Sequence, residues 1–460
     1  EVTPFMNEAH QQGLRSYCVQ YRETDLAFVS RLLAEEGLSW RVEESTNSAT
    51  QHRLVIFADS TQKDTFPEDT SSAHSNGAGL GAVPGGGGVG IRFHRGQSME
   101  AQDTFQSLSQ VRHLSSAIVT VLSTDYKTRQ NHSASAPTTA TYGGKGAPVL
   151  ESYLPNAPYA SGSQSAAQRQ ANLHMQALEA RFERTFAGGT VRTLRAGTQV
   201  HITQSPLPDL LDAQGHARAH PGFNVIRVSH LGINNLPKPA VASLAELFGD
   251  VPELLGNILQ GLQAQAHTQD SGSQGTGSQA KSASSPHKTC ASRSQNDSIN
   301  FNPTSLITQA QALGYANQCE LLRADVVWRP LITDEAGTPL LPRTTAPGAQ
   351  TALVVGPNGS PTDTSAGDLY TDSLGRVRIC YPWQGALSGA GADADGATSG
   401  KASTWVRVAQ RSAGGGVGGA GMGMQFLPRV GQEVLVQFLG GDIDRPIITG
   451  ALYNGQGQGG

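Results

Sequence analysis

The sequence predicts an α+β fold that is mainly β, with antiparallel strands in its first part and a small closed or partly open barrel at its end. Short segments rich in β-branched residues, with apolar and polar residues alternating, recur along much of the chain. Glycine contributes 54 of the 460 residues, and charged residues make up 15% against about 25% in average proteins, which favours turns over long surface helices. A chain of this length predicts two or three domains.

The first ordered unit is predicted between residues 14 and 57. Residues 14–21 (LRSYCVQY) read as a short strand. A helix follows, because Thr24 or Asp25 can cap its free N–H groups and Gly37 stands where a left-handed C-cap belongs. Two strands, LSWRVEE and HRLVIFADS, complete the unit. The helix is expected to bury an apolar stripe of residues at helical spacing: Leu26, Phe28, Val29, Leu32 and Leu33.

Residues 62–90 are rich in Ser, Gly and Pro and are predicted to form a mobile loop, because they offer little apolar surface to bury. Beyond this loop, the segments IRFHR, AIVTVLSTDY, TVRTL and TQVHIT are predicted strands, and residues 165–182 a helix. Residues 241–265 form an amphipathic helical stretch, which a Ser/Gly/Gln tract follows to about residue 298. We place a boundary there.

After residue 346, five short strands follow at close spacing: ALVVG, RVRICYPW, TWVRVAQ, EVLVQF and PIITGALY. Turn-rich segments separate them, as is typical of a small barrel. In residues 433–439, alternate side chains put apolar area on both faces, so both are expected to be covered. Trp405 and Arg407 share one face of their strand, and both residue types are enriched at the centres of protein interfaces.

The last hundred residues closely resemble the OB-fold of VgrG proteins and of contractile-phage tail spikes. The resemblance is carried by DLYTDSLGRVRICYPWQ, STWVRVAQ and LPRVGQEVLVQFLGGDIDRPIITGALYNG. Upstream, YCVQYRETDLAFVSRLLAEEGLSWRVEE resembles the tail-hub portion of the same proteins. The family-motif residues are Asp372, Gly375, Arg376, Val377, Trp383, Trp405, Arg407, Gln410, Pro428, Arg429, Gly431, Glu433, Asp442, Asp444, Arg445, Pro446 and Asn454.

The resemblance implies a phage-tail-hub-like β-barrel region followed by a five-stranded OB-fold barrel. We therefore divide the chain into a hub-like region at 1–240, a helical segment and low-complexity linker or insertion at 241–300, a return to the hub region with a connector at 301–345, and an OB-fold spike base at 346–460. Because the first residue is Glu rather than Met, the hub region is expected to be incomplete at its N-terminus.

The implied function is structural, a tip or spike subunit of the type VI secretion system with no enzymatic activity. A homotrimer, with Trp405 and Arg407 at its interface, would cap the Hcp hexamer ring and carry a PAAR-type tip protein and effector or adaptor proteins. It would assemble in the cytoplasm of a Gram-negative bacterium and be injected without a signal peptide. The alternatives are the baseplate hub of a contractile phage or extracellular injection particle, and a longer parent with a C-terminal peptidoglycan hydrolase.

No cofactor, metal site or catalytic group is expected. Residues 85–90 and 414–419 satisfy G-x-G-x-x-G, but each leads into strand-like residues, whereas a phosphate loop needs a helix N-terminus. His216 and His220 lie among Gly and Pro in a predicted loop, and Asp442 and Asp444 read as turn acids. Structural roles are likewise expected for Gly375 and Gly431 as positive-φ turns, and for Arg445 as the partner of an acid.

Nucleic acid and membranes are not expected partners. Residues 346–460 contain seven basic and eight acidic residues, so this OB-fold lacks the basic groove that nucleic-acid binders use. No apolar run is long enough to cross a bilayer, and the first ten residues lack a secretory signal pattern. The four cysteines are scattered and are expected to be reduced and isolated: Cys18, Cys290, Cys319 and Cys380.

Overall fold

The computed structural model confirms a mainly β chain with few helices. It describes residues 15, 17–44, 51–62, 65–74, 90–95, 103–127, 130–140, 148–155, 162–204, 222–233, 303–331, 345–384, 403–414 and 423–453. The helices are α1 (Asp25–Glu35), α2 (Thr70–His74), α3 (Gln164–Phe182) and α4 (Pro303–Leu313).

In the described ranges, the strands before the barrel belong to four sheets. They are β1 (Ser39–Glu44), β2 (His52–Phe57), β3 (Ile91–Arg92), β4 (Phe105–Arg112), β5 (Ile118–Asp125), β6 (Gln130–Pro137), β7 (Glu151–Pro155), β8 (Glu183–Gly189), β9 (Gln199–Val200), β10 (Ile202–Thr203), β11 (Phe223–Gly232) and β12 (Tyr315–Arg323). The barrel strands are β13 (Gln350–Val354), β14 (Val377–Cys380), β15 (Thr404–Val408), β16 (Glu433–Phe438) and β17 (Pro446–Leu452).

The barrel closes in the order β13-β14-β15-β17-β16, so all five predicted strands are confirmed. The barrel encloses a core because alternate side chains of β16 point inward. Val434 and Val436 are fully buried in this core, and Phe438 is 9% exposed. On the opposite face of β16, Leu435 is half-buried and Gln437 is exposed. The expectation that both faces would be covered is therefore wrong for a single chain.

A five-stranded sheet in the order β4-β8-β12-β11-β9 is the largest sheet outside the barrel in the described part of the chain. One of its faces carries a core that includes Phe105, Val225 and Leu321, which are fully buried, as is Cys319. Burial raises the pKa of the Cys319 thiol to about 12, which keeps it protonated and inert. Among the described residues, Cys18, Cys319 and Cys380 are free thiols, as expected.

A three-stranded sheet, β6-β5-β7, packs against α3. Ser163 caps this helix by accepting a hydrogen bond from the Ala166 N–H at 3.1 Å, which confirms the predicted helix and its start within two residues. The small side chains of Ala167 and Ala171 are fully buried, so the helix can lie close to the sheet.

Helix α1 begins and ends as predicted, but part of the apolar face that was predicted to be buried is exposed to solvent. Thr24 caps it and Gly37 adopts φ 72°. Leu26 is 65% exposed and Val29 47% exposed, whereas the buried residues of the helix are Arg31 and Ala34. Arg31 is held inside by Glu23 at 2.7 Å. The predicted stripe is thus only partly covered, since Phe28, Leu32 and Leu33 are half-buried and Leu26 and Val29 are exposed.

Several other expectations are corrected. Residues 17–21 form no strand, and residues 190–194 (TVRTL) form a turn. Strand pairs β3/β10, β5/β7 and β15/β17 are parallel within a mainly antiparallel set. The predicted loop at 62–90 is ordered in part, since Phe66 is buried against Phe57 and α2 follows. Residues 241–298, His216, His220 and Asn454 lie outside the described residues.

Candidate functional site

Residues 17–21, which we call the strap, lie against the barrel instead of joining a sheet. The Val19 N–H donates a hydrogen bond to Asp444 Oδ1 at 2.9 Å, and the Val19 side chain is part of the barrel core. Asp444 lies in the turn before β17, where its own N–H donates to Asp442 Oδ1 at 3.0 Å. The motif carboxylate therefore fixes a backbone group from the other end of the described chain.

The two tyrosines of the strap bind the 3₁₀ turn Pro382–Gln384 and the start of β13. Tyr21 Oη accepts from Gln350 Nε2 at 3.0 Å, and Gln350 Oε1 accepts from the Trp383 indole N–H at 3.0 Å. The rings of Tyr21 and Trp383 lie 5.4 Å apart. This three-member network gives the predicted motif residue Trp383 a specific role in holding the strap.

Tyr17 is enclosed at the same end of the barrel. Its hydroxyl accepts from Gln384 Nε2 at 3.3 Å. Burial, and then the nearby Asp444 carboxylate, raise the pKa of Tyr17 well above its ordinary value, so the phenol stays neutral. A neutral phenol is compatible with the apolar barrel core beside it.

Tyr126 forms a second contact with the barrel, from the turn after β5. The Arg407 guanidinium carbon lies 4.2 Å from the Tyr126 ring centroid, in cation–π geometry. Arg376 Nη1 donates to Tyr126 Oη at 3.4 Å. Two of the predicted motif arginines therefore meet on one tyrosine of the preceding region.

Asp372 orients Arg376 for this contact. Its Oδ1 accepts from the Arg376 backbone N–H at 2.9 Å, and its Oδ2 accepts from the Arg376 side chain at 2.6 Å. Burial alone would raise the pKa of Asp372, but these bonds to Arg376 lower it below its ordinary value. The neighbouring Gly375 has φ 66°, and Gly431 has φ 88°, as predicted for tight turns.

Trp405 and Arg407, predicted at a trimer interface, both touch their own chain. The Trp405 ring lies 5.1 Å from that of Tyr370 and 5.8 Å from the Arg378 guanidinium carbon. It is half-buried, whereas Arg407 remains exposed despite Tyr126. This face of β15 therefore remains partly accessible, and the assignment of Trp405 and Arg407 to a trimer interface stays a prediction.

The remaining motif residues shape turns around the barrel. Gln410 makes paired bonds to the Phe426 backbone, at 3.0 Å to its oxygen and 2.8 Å from its N–H. Arg445 lies 3.9 Å from Asp442, as expected for a partner of an acid. Val377 and Pro428 are buried, Glu433 is half-buried, Pro446 opens β17, and Arg429 lies at the surface 3.7 Å from Asp368.

Sequence reasoning missed the residues that complete these contacts: Tyr17, Val19, Tyr21, Tyr126 and Gln350. The strap's alternating aromatic and apolar residues gave a strand-like signal, but its partner is a carboxylate rather than a neighbouring strand. No local pattern could pair Tyr126 with Arg407. Among the described residues, no group of three His, Cys, Asp or Glu side chains is placed to hold a metal ion.

No helix in the described part of the chain combines the length and apolarity that a membrane crossing requires. The site thus consists of contacts that hold one part of the chain on another. Such contacts fix the geometry between the two parts.

Comparison with known proteins identifies both parts. The family described as "Phage tail baseplate hub (GPD)" matches residues 2–235, just over half of the chain. The family described as "Type VI secretion system/phage-baseplate injector OB domain" matches residues 393–453, which include three of the five barrel strands. The predicted OB-fold barrel and hub-like region are thereby confirmed.

Curated relatives are similar over a shorter stretch. The type VI secretion system spike protein VgrG3 of Vibrio cholerae is 37% identical over 31% of this chain and 11% of its own length. VgrG2a of Pseudomonas aeruginosa is 38% identical over 31% of this chain and 13% of its own length. The matched part is therefore a small fraction of each relative.

Among solved structures, that of the Escherichia coli c3393 protein aligns with 94% of this chain and 62% of its own chain. The c3393 protein is a type VI secretion component with structural similarity to the phage T4 tail proteins gp27 and gp5. Its identity is 13% and its TM-score is 0.39. The family matches and the curated relatives carry the assignment without it. The chain belongs to the phage tail baseplate hub family, as a VgrG-type protein with an injector OB domain.

Proposed function

We propose that this chain is the structural tip subunit of a type VI secretion system. Three copies cap the Hcp hexamer ring, and the OB barrels carry a PAAR-type tip protein and effector or adaptor proteins. The particle assembles in the cytoplasm of a Gram-negative bacterium and is driven into a target cell. The family membership and the spike-protein names of the curated relatives support this function. No covalent step is assigned to any residue.

One observation carries the trimeric part of the proposal, the apolar face of the β1–β2 hairpin. Trp40, Val42 and Leu54 are 41%, 56% and 44% exposed. The antiparallel register pairs Val42 with Leu54 and Trp40 with Ile56, so these side chains share one face. Contiguous apolar surface of this kind marks a protein interface. A second copy of the chain is the partner that the proposed assembly supplies.

The outer wall of the barrel is a second proposed contact between copies. Trp405 and Arg407 lie side by side on β15, and Arg407 is exposed. In the trimer, this wall faces the neighbouring barrel. The strap and Tyr126 hold each barrel on its own hub, so the three barrels stay aligned on one axis.

Light scattering coupled to size-exclusion chromatography tests the assembly. We expect the wild-type mass to be three times the chain mass of 48.2 kDa. Val42→Asp, which puts a charge into the hairpin face, should lower the mass to that of one chain. Leu114→Asp is the matched control, because Leu114 is 74% exposed and lies outside the hairpin. Trp405→Ala should weaken the trimer in the same assay.

The proposal fails if the wild-type chain is monomeric. An unchanged trimer in Val42→Asp or Trp405→Ala would exclude that particular face. A second candidate is the baseplate hub of a contractile phage or extracellular injection particle, which the two family descriptions favour equally. The neighbouring genes distinguish these systems, since phage capsid genes would accompany a phage hub.

A further inference from the structure

A shallow, open cleft of about 390 Å³ runs along α3. Much of its lining area is apolar and includes Leu173, and its polar groups are Ser165, Gln168, Asn172 and Gln176 along the helix with Arg169 and Arg329 beside them. From residue 165 to residue 176 the helix rises roughly 16 Å at 1.5 Å per residue. An extended peptide of about five residues has this length.

Arg329 carries a charge that the described part of the chain does not neutralise by an ion pair. Its Nε donates to Gln176 Oε1 at 2.9 Å and its Nη1 to the Gly37 carbonyl at 2.6 Å, both uncharged acceptors. Burial lowers the pKa of Arg329, and the attraction of the Asp59 carboxylate, which raises this pKa, is too weak to offset burial. A partly buried guanidinium with neutral partners favours an anion at its remaining donors.

The other arginines of this region already have carboxylate partners. Arg169 lies 3.0 Å from Glu36, which also binds Arg15 at 2.7 Å. Arg15 and Arg31 share Glu35, and Arg31 also binds Glu23. Three arginines therefore share three glutamates, whereas Arg329 has no carboxylate within ion-pair distance among the described residues.

The amide side chains of the cleft present donors. Asn172 Oδ1 accepts from Gln168 Nε2 at 3.0 Å, and Gln176 Oε1 accepts from Arg329 at 2.9 Å. With both oxygens engaged, the amide nitrogens of Asn172 and Gln176 remain to meet a ligand. These two amide donors, beside the Arg329 guanidinium, favour oxyanions over cations.

We propose that this cleft binds a short acidic segment of a partner protein, with a carboxylate of that segment on Arg329. The guanidinium fork supplies paired donors, and the amides of Asn172 and Gln176 bind neighbouring oxygens. The site is independent of the trimeric role, because all of its residues belong to one chain and none lies in the hairpin face or the barrel wall.

Fluorescence anisotropy with the whole chain tests this site. The probe is a labelled hexaglutamate peptide, and the same peptide made of glutamine is its neutral counterpart. We expect the acidic peptide to bind and the neutral one not to bind. Arg329→Gln should weaken binding by about tenfold or more. Arg429→Gln, the same change at a 66% exposed arginine of the barrel, should leave it unchanged.

Three results would overturn the proposal. The first is equal peptide affinity in wild type and Arg329→Gln, with circular dichroism showing both folded. The second is complete displacement by inorganic sulfate at matched concentration, which would assign the cleft to a free oxyanion. The third is binding only after Asp334→Asn and Glu335→Gln are introduced, which would make the chain's own acids the ligand.

Discussion

The Val19 N–H and the Asp444 carboxylate meet at 2.9 Å across 425 residues of sequence. Asp444 belongs to the turn that leads into β17, and Val19 places its side chain in the core of the same barrel. A motif residue that reads as a simple turn acid thus also fixes the strap. The barrel core is completed by a residue from outside the barrel strands.

Loss of the Asp444 carboxylate should release the strap. Asp444→Ala is expected to lower the free energy of unfolding by about 1–3 kcal/mol, because a hydrogen bond to a charged group is lost beside the core. Hydrogen exchange at the Val19 amide should become faster. Asp444→Asn keeps a carbonyl acceptor and should have a smaller effect. Asp368→Ala is the control, since Asp368 is 70% exposed; undiminished Val19 protection in Asp444→Ala would refute the role of the strap contact.

Tyr126 should stabilise the barrel mainly through its ring. Tyr126→Phe keeps the face on which Arg407 lies at 4.2 Å and loses only the 3.4 Å contact with Arg376. We expect it to be nearly neutral, whereas Tyr126→Ala should cost about 1–2 kcal/mol. Urea unfolding followed by tryptophan fluorescence measures both. Equal losses in the two variants would show that the hydroxyl, and not the ring, is the important group.

His174 should make the stability of the chain depend on pH below neutrality. Burial lowers the pKa of His174 from 6.5 to about 4 in the folded chain. Between these two values the unfolded chain binds a proton that the folded chain refuses, so stability is full above pH 6.5 and is lost as the pH falls toward 4. The loss at its limit is roughly 3 kcal/mol.

The free energy of unfolding at pH 7.5, 6.5 and 5.5 measures this effect. His174→Gln should flatten the dependence over that interval, in which carboxylates hardly titrate. His113→Gln, at an exposed histidine, serves as the control and should keep the wild-type slope. A slope that survives in His174→Gln would assign the effect to another group.

The barrel strands were predictable because apolar residues that face the core recur at a spacing of two along the sequence. Val434, Val436 and Phe438 alternate with more accessible residues, and the same rule locates the other four strands. The glycines of its turns were predictable for a local reason as well, since Gly375 and Gly431 occupy positive φ. Each of these features depends on a few consecutive residues.

The contacts with the barrel were not predictable in the same way. The strap has the alternation of a strand, but its Val19 N–H bonds to Asp444, which no ladder pattern encodes. The stripe of Leu26 and Val29 has the spacing of a buried helix face and is nevertheless exposed, because the side that packs is held by Arg31 and Glu23. Residues 190–194 have strand-like composition and form a turn. In each of these segments, contacts with residues distant in the sequence determine the structure.

The strap also sets an order of events during protein synthesis. Val19 leaves the ribosome early, and Asp444 follows 425 residues later. At about 5–20 residues per second, the delay is roughly 20 to 85 seconds. Throughout that interval the barrel to which Tyr17 and Tyr21 bind has not yet been synthesised. The strap of the nascent chain is therefore an exposed aromatic segment, of the kind that chaperones bind, until translation reaches the last strands.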